Sequence, residues 1–447
     1  MEALESQIAE WRGFVAQRPA VDDRDVEELE AHLREQIADL DAAGLAADEA
    51  FLVAVKRMGG LDSLSREFAR EHSGRLWKQI VLSGGGEQEQ LDSRWPEVLA
   101  CALAAALTVQ VARLASGFPG DESLWLLRNA SLLVVPFLAG YFARRRRLPL
   151  RQCLLTAAPF VVAAVVVNLY PYREGGSTEL LVAAHLPVAL WFVVAYPYMG
   201  GVVRSHERRM DFVRFTGECF IYYVLIALGG GVLMGLTALI LEPTGAGNGE
   251  RVIEWVLPSG AAGAVIVAAW LVEWKQRIVE NMAPVLTMVF TPLFAVMLVS
   301  AATVYAVSGL GGAFDRELLG VLDALMVVVL ALVLYGMSAR DASQPPGWMD
   351  RIQLVAVASA LLLDFMVLGS MVARVGELGF TPNRTAALGL NLVLLVNLAG
   401  TAWLSTRFLT GHSTYHRLER WQTTYLPVFP LWAATVVVTL PPLFAFT

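Results

Sequence analysis

The stretch Arg374-Val-Gly-Glu-Leu-Gly-Phe-Thr-Pro-Asn-Arg384 lies between two apolar runs, at residues 352–373 and 385–406. Its glycines and proline interrupt helical structure, and its charged side chains favour water. Each flanking run has about the twenty residues that a helix needs to cross the hydrocarbon core of a bilayer. This order of span, short polar loop and span predicts a polytopic α-helical membrane protein.

The composition of the whole chain agrees with that local pattern. Of its 447 residues, 56% are hydrophobic and 17% are charged, whereas a soluble domain has about 25% charged residues. The sequence therefore predicts an all-α fold with about eleven transmembrane helices. The predicted spans are 96–116, 124–143, 150–170, 179–200, 218–241, 252–273, 283–307, 317–338, 352–373, 385–406 and 425–446.

Charge divides the chain into two parts. Residues 1–94 have a net charge of −9, and residues 95–447 have a net charge of +2. We therefore expect a small cytoplasmic module at 1–72, a linker at 73–94, and a membrane domain over 95–447. The acidic module is a poor partner for nucleic acid, which binds basic surfaces.

Apolar residues at helical spacing predict that the module is a small helical bundle. Val26, Leu29, Leu33, Ile37 and Leu40 recur every three or four residues, which places them on one helix face. Other apolar groups predict three more short helices; they are Leu4, Ile8 and Trp11, then Ala50, Phe51, Ala54 and Met58, then Leu64 and Phe68.

The module also has a distinctive pattern of polar residues. It includes L-E-x-x-I-x-x-W-R from Leu4, D-V-E-E-L-E-x-H-L-R from Asp25, G-L-x-x-D-E-A-F from Gly44 and R-M-G-G from Arg57. This pattern resembles the permease prefix domain, a helical module found ahead of bacterial membrane permeases. The resemblance implies a regulatory or association role, through a homodimer or another protein partner, and no catalytic role.

The segment at 374–384 has a second resemblance. It is similar to the R-h-x-E-h-G-h-T-x-x-R signature, with h apolar, of a family of bacterial multi-span inner-membrane proteins of unknown function. Ala283-Pro-Val-Leu-Thr287, Phe290-Thr-Pro-Leu-Phe294 and the stretch from Tyr425 to Trp432 extend the similarity. The resemblance implies an architecture and no particular chemistry.

Basic residues are concentrated in alternate loops, which predicts the orientation. The loops on one side have many basic residues, around Arg144 to Arg147, Arg204 to Arg214, Lys275 and Arg277, and Arg407 to Arg420, whereas the loops on the other side have few, such as Arg173, Arg251 and Arg316. Basic loops remain in the cytoplasm. The N-terminus is therefore expected inside, and eleven spans leave Thr447 and the loop at 374–384 outside.

Polar residues within spans are the candidate site residues, because a charge at the bilayer centre costs at least a few kcal/mol. Asp364 lies ten residues from Arg374, which is about 15 Å of helix and close to the midplane. We expect a polar cavity that opens outward, with Asp364 as its floor and the loop at 374–384 as its lid. Other candidates for the cavity are Asp323, His185, Arg128, Asn391 and Asn397; those in the loop are Arg374, Glu377 and Arg384.

Two interpretations of these residues remain open. The first is a solute or ion pathway, in which Asp364 exchanges protons. The second is a set of Asp–Arg and Asn–backbone contacts that join helices, with Arg128 or Arg374 as the partner of Asp364.

Glycine is clustered in the fifth run, at Gly229-Gly-Gly231 and Gly235. Glycines allow transmembrane helices to approach closely. We therefore expect a neighbouring helix to pack against them, with a hinge or a backbone-lined pathway as the alternative.

A weak metal-site candidate precedes the last span. His412, His416 and Glu419 have i, i+4, i+7 spacing, which on a helix gives two histidines and a carboxylate on one face. The favoured interpretation is a polar helix beside the membrane, since the chain has only six histidines. We predict no bound metal, no cofactor and no catalytic residues.

The sequence favours a bacterial inner-membrane protein that transports or conducts a small solute or ion, with or without coupling to protons. Midplane carboxylates are typical of proton- and cation-coupled proteins. The first alternative is a signalling or scaffold protein that senses the state of the envelope, and the second is an enzyme acting on lipid or envelope precursors. A water-accessible Asp364 favours transport, and an Asp364 without access to water favours the scaffold. A lateral groove with the shape of a lipid favours the enzyme. Membrane lipids are expected partners in every case.

Overall fold

A computed structural model describes residues 4–5, 7–9, 11–12, 23–42, 45, 47–58, 95–116, 124–173, 175–241, 248–275, 283–308, 316–340 and 342–447. The chain divides into two compact units, Met1–Trp95 and Pro96–Thr447. Every regular element within the described ranges is an α-helix. The predicted all-α class is therefore confirmed.

The N-terminal unit contains α1 (Asp23–Ala42) and α2 (Ala47–Met58), and the described residues between 4 and 12 are also helical. The predicted apolar faces form its core. Its buried residues are Ile8, Trp11, Leu33, Ile37, Leu40, Ala50, Phe51, Ala54 and Val55. The side chains of Val26, Leu29 and Met58, the predicted helix at Leu64 and Phe68, and the linker lie outside the described residues.

Arg34 joins two segments of this unit. Its guanidinium donates to both oxygens of Glu5, at 2.8 and 2.7 Å, and to Glu30 at 3.0 Å. Arg12 contacts Glu30 at 3.2 Å. The bond from Arg34 lowers the pKa of the Glu5 carboxyl, because it stabilises the charged form.

The second unit contains twelve further helices in its described part. They are α3 (Trp95–Ala115), α4 (Leu124–Arg145), α5 (Leu150–Leu169), α6 (Ser177–Tyr198), α7 (His206–Leu241), α8 (Asn248–Lys275), α9 (Ala283–Ser308), α10 (Arg316–Ala339), α11 (Trp348–Leu378), α12 (Pro382–Leu409), α13 (Tyr415–Tyr425) and α14 (Val428–Leu443). Eleven helical spans, with α13 and α14 counted as one, are long and apolar enough to cross a membrane. The chain therefore has the fold of a polytopic α-helical membrane protein.

Helix α7 begins at His206, twelve residues before the span predicted at 218–241. The first part of the helix is too polar to be predicted as membrane-spanning from the sequence, yet Phe212 and Phe215 in it are buried. The ring of Phe215 stacks on Tyr198 at 4.5 Å and meets Phe142 edge-on at 5.3 Å. Aromatic packing between three helices therefore extends α7 beyond its apolar run.

Two hydrophobic clusters make the core of the membrane unit. The first is built mainly from α3 to α8, and the second from α9 to α13. Helix α14 connects them: Val437 belongs to the first cluster, while Val436 and Leu440 pack with Ala386 of α12. Gly389 and Gly400 of α12 allow close approach of Trp432 and Trp421, because a β-carbon at either position would overlap the indole ring.

The two ends of the helical bundle differ in their contacts. At one end the amides of Arg173 and Thr178 donate to the carbonyls of Phe446 and Thr447, at 3.0 and 2.9 Å. At the other end, arginine side chains donate to carbonyls near helix ends. Arg146 donates to the carbonyl of Tyr198 at 3.2 Å, Arg209 to that of Thr423 at 2.8 Å, and Arg214 to that of Ser338 at 3.0 Å. The C-terminus therefore lies at the end opposite these arginine-rich loops, as an odd number of spans requires.

We expected a neighbouring helix to pack against the glycine cluster of α7, and this is wrong within the described part of the chain. A β-carbon placed at Gly229, Gly230, Gly231 or Gly235 would have no atom of another element within 4 Å. No described helix packs closely on these glycines.

Candidate functional site

Three adjacent helices bring Asp323, Asp364 and Asn391 together, on α10, α11 and α12 respectively. We call these three residues the acidic cluster. Asp364 lies near the middle of the 31-residue helix α11, and both Asp364 and Asn391 are completely buried. Apolar neighbours on the same helices, including Leu322, Val367 and Met371, form a packed layer beside them.

Asn391 is held in place by its amide nitrogen. The Nδ2 atom donates to Asp323 Oδ1 at 2.9 Å and to the carbonyl of Ala387 at 2.8 Å, and it lies 3.5 Å from Met371 Sδ. The first of these bonds joins α10 to α12. One acidic side chain of the cluster therefore joins two helices, through an asparagine amide instead of the Asp–Arg or Asn–backbone contacts that the structural interpretation named.

Asp364 has no such role among the described residues. Neither of its carboxyl oxygens has a hydrogen-bond partner, and the Oδ1 atom of Asn391 also lacks a donor. Asp323 is close enough for its charge to act on Asp364, and no basic group is a comparable neighbour in the described part of the chain. The cluster therefore contains three buried acceptor oxygens without a donor.

Oxygen acceptors in this arrangement are suited to a proton or a cation. A buried charge is strongly unfavourable unless it is paired, and hard cations prefer carboxylate and amide oxygens. Asp364 can therefore carry a negative charge at this depth only when a cation or water reaches it.

Asp364 is sealed in this structure, with 0% of its surface exposed. In the part of the chain that the structure describes, two surface grooves, between α3 and α8 and between α4 and α5, are lined by none of the cluster residues, so neither is the outward-opening cavity expected from the sequence. Of the predicted cavity residues, the structure gathers Asp323, Asp364 and Asn391 and distributes the others.

Arg128 pairs with a residue that the sequence analysis did not select. Its guanidinium on α4 forms an ion pair with Glu179 of α6 and lies 4.8 Å from the ring centre of Tyr172. The two charged side chains are only 13% and 11% exposed. Arg128 is therefore not the partner of Asp364, which was one of the two alternatives left open by the sequence.

Asn397 and His185 also make local contacts instead of joining the cluster. Asn397 exchanges hydrogen bonds with Gln422 of α13, at 2.9 and 3.4 Å, and Gln422 donates to Thr401 at 2.6 Å. All three side chains are buried. The imidazole Nδ1 of His185 lies 2.8 Å from the carbonyl of Leu181, one turn earlier on α6.

The loop predicted at 374–384 is shorter than expected. Helix α11 continues through Arg374 and Glu377 to Leu378, and α12 begins at Pro382. Arg384 Nη1 donates to the carbonyls of Leu378 and Gly379, at 3.1 and 2.9 Å, so it caps the end of α11. Three residues are too few for the lid that we predicted over Asp364.

The weak metal-site candidate is not assembled. His416 and Glu419 lie on α13 and approach to 3.3 Å, but His412 precedes the helix and contacts Thr410 Oγ1 at 3.0 Å. Within the described residues, no three His, Cys, Asp or Glu side chains are close enough to hold a metal ion. The prediction from helical spacing is wrong for His412, because the helix begins only at Tyr415.

The sequence did not indicate which carboxylates form buried pairs across helices. Glu273 of α8 forms an ion pair with Arg145 and lies 3.6 Å from Arg146, and it accepts a bond from Tyr141 at 3.2 Å. Glu179 lies in the first turn of α6, where the sequence suggests a solvated end. The only available signal for both was a carboxylate within or beside an apolar run.

A groove of about 630 Å³ opens between α4 and α5 at the arginine-rich end. Small residues on α4 create it, including Pro136, Gly140 and Ala143, and Phe160 of α5 forms part of its wall. Arg144 and Arg147 also line it, whereas no carboxylate or histidine belongs to its described lining. The groove is apolar with a basic margin.

None of the protein-family models, curated proteins or solved structures compared with the chain matches it. The resemblances at residues 1–72 and 374–384 therefore remain predictions from the sequence.

Proposed function

We propose that the protein transports or conducts a small solute or ion across the bacterial inner membrane, with a proton or cation bound at Asp364. The N-terminal unit is proposed as a cytoplasmic regulatory or dimerisation module, in keeping with its resemblance to a permease prefix domain. Eleven spans are more than an anchor requires.

The observation that carries this proposal is the unpaired carboxyl group of Asp364. A structural contact supplies partners, as the Asn397–Gln422 and Arg128–Glu179 pairs do. Asp364 is equally buried, lies near the middle of its helix and has no described partner. Buried ionisable groups at membrane depth are typical of ion and proton pathways.

Flux measurements in proteoliposomes test the proposal. The purified full chain is reconstituted with and without a pH gradient, and proton and alkali-cation fluxes are measured with fluorescent indicators. Asp364→Asn keeps the shape of the side chain and removes its ability to exchange a proton, so we expect the flux to be lost while the amount of folded protein is unchanged. Unaltered flux per folded molecule in Asp364→Asn contradicts the proposal.

The proposed orientation has a separate test. Cysteine is introduced at residues 412–416 in a background without Cys101, Cys153 and Cys219, and intact cells are treated with a membrane-impermeant thiol reagent. We expect no labelling there and strong labelling at an introduced cysteine in 379–381. Labelling of a cysteine in 412–416 from outside the cell contradicts the proposed orientation.

A signalling or scaffold protein is the second candidate, and the sealed state of Asp364 favours it. The two candidates differ in whether Asp364 becomes reachable. Dicyclohexylcarbodiimide, an apolar carboxyl reagent, should modify Asp364 in the transport case, and added cations should slow the reaction. If mass spectrometry shows Asp364 unmodified under all ionic conditions while the protein remains folded, the scaffold is favoured.

The enzyme alternative gains no specific support. The lateral groove between α4 and α5 has the shape that this alternative requires, but its described lining offers no carboxylate or histidine for acid–base chemistry. The charged residues in its described lining are the arginines Arg144 and Arg147.

A further inference from the structure

The turn between α4 and α5 contains an arginine where glycine is the usual residue. The amide of Arg147 donates to the carbonyl of Arg144 at 3.0 Å, and that of Leu148 to the carbonyl of Ala143 at 2.9 Å. These two bonds form the Schellman motif that ends many helices. Its left-handed position is Arg147, with φ of 50°, a conformation that is unfavourable for a residue with a β-carbon.

The four consecutive arginines at this end of α4 have different partners. Arg145 pairs with Glu273, and Arg146 bonds to the carbonyl of Tyr198. Arg144 contacts Glu97 at 3.1 Å but remains 77% exposed. The Arg147 side chain has no ion-pair or hydrogen-bond partner among the described residues, and it lines the groove together with Arg144.

The groove continues from these arginines along the membrane-spanning part of α4 and α5. Gly140 is exposed, and a β-carbon there would meet no atom within 4 Å. Val161, on the opposite wall, is 61% exposed. The lining is thus apolar over the spans and positively charged where α4 ends.

We propose that this groove binds one anionic phospholipid, with an acyl chain along the apolar wall and the phosphate between Arg144 and Arg147. An anionic headgroup complements the charge of the margin, and basic pockets between transmembrane helices are known to bind such headgroups. A soluble anion needs no apolar wall, and a zwitterionic lipid brings a cationic group towards the two arginines. A side chain that contacts the headgroup explains why an arginine occupies this strained position.

Native mass spectrometry of the full chain in detergent measures the binding. Phosphatidylglycerol and phosphatidylcholine with identical acyl chains are titrated separately, and dissociation constants are obtained from the populations of bound states. We expect phosphatidylglycerol to bind the wild type at least about fivefold more tightly, since one arginine near a lipid surface contributes ~1 kcal/mol. Equal affinity for the two lipids overturns the proposal.

Two variants separate lipid binding from folding. Arg147→Gly removes the charge and relieves the left-handed strain, so its melting temperature should be unchanged or higher while phosphatidylglycerol affinity falls about fivefold. Gly140→Leu places a side chain in the open groove and favours helix, so it should also fold and bind the lipid less tightly.

Arg151→Ala is the matched control. Arg151 is an exposed arginine in the first turn of α5 that does not line the groove, so its loss should change the affinity less than twofold. An equal loss in Arg151→Ala and Arg147→Gly means that only the general charge of this end attracts lipid, and overturns the site. A dimer that dissociates in Gly140→Leu identifies a second copy of the chain as the occupant and also overturns it.

Discussion

Replacement of Asp364 by alanine should make the protein more stable and inactive. Truncation of a completely buried residue usually destabilises a protein, so the expected direction is unusual. It follows from the structure, because both oxygens of Asp364 are buried without a partner among the described residues.

The magnitude comes from three contributions. A buried polar group without a partner destabilises the folded state by about 1–3 kcal/mol, and alanine removes that penalty. The small cavity left by the carboxyl group costs less than ~1 kcal/mol, at about 24 cal/mol per Å³. Alanine also favours helix over aspartate by roughly 0.5 kcal/mol. Asp364→Ala should therefore raise the free energy of unfolding by ~0.5–3 kcal/mol.

Asn397→Ala is the matched control on the neighbouring helix. Asn397 is equally buried, but its amide exchanges two hydrogen bonds with Gln422. Each interhelical bond contributes about 0.6 kcal/mol in a membrane protein, and part of the Gln422 amide would lose its partner. We expect Asn397→Ala to lower the free energy of unfolding by ~1–3 kcal/mol, the opposite sign.

Unfolding of the purified full chain by sodium dodecyl sulfate in mixed micelles, followed by tryptophan fluorescence, compares the variants. Proteoliposome flux is measured on the same preparations. If Asp364→Ala loses as much stability as Asn397→Ala, Asp364 is a contact between helices and the unpaired-carboxyl argument is refuted. A stabilised variant with normal flux refutes the functional assignment alone.

Three further outcomes are expected. Arg128→Ala should lower the free energy of unfolding by about 3–5 kcal/mol, because it leaves Glu179 buried and unpaired; the double variant with Glu179→Ala should recover part of the loss in the same unfolding assay. Leu33→Asp should unfold an isolated fragment of residues 1–72 that is otherwise soluble and helical by circular dichroism, because Leu33 is completely buried; equal helicity in the two fragments contradicts the predicted core. Arg34 lowers the pKa of Glu5. The contribution of this pair to stability is therefore complete above the unfolded-state pKa of Glu5 and is lost as the pH falls through the lowered folded-state pKa. Thermal melts of the same fragment between about pH 6 and pH 3 should show a smaller loss of stability in acid for Arg34→Ala than for the wild type.

The sequence by itself determined the helical membrane fold. Membrane insertion depends on the local sum of side-chain hydrophobicity, which a run of about twenty residues already contains. The predicted span at 283–307 and the helix Ala283–Ser308 differ by one residue. Amphipathic spacing likewise identified Leu33, Ile37 and Leu40 as core residues, because a helix face follows from the period alone.

The position of Asp364 near the middle of its helix was also available from the sequence, since helix rise converts residue number into distance. Its surroundings were not. Arg128 was one candidate partner from the sequence, but it pairs with Glu179, which is 51 positions away in the chain. Nothing local to either residue encodes that choice.

Tertiary packing decided which polar groups are satisfied. Asn391 and Asn397 are similar residues on one helix, yet the first meets Asp323 and the second meets Gln422. Helix α11 also continues through Arg374, so the broken segment in the sequence became a three-residue turn. The physical reason is that hydropathy is a property of neighbouring residues in the chain, whereas hydrogen bonds and ion pairs depend on which helices meet and at what rotation.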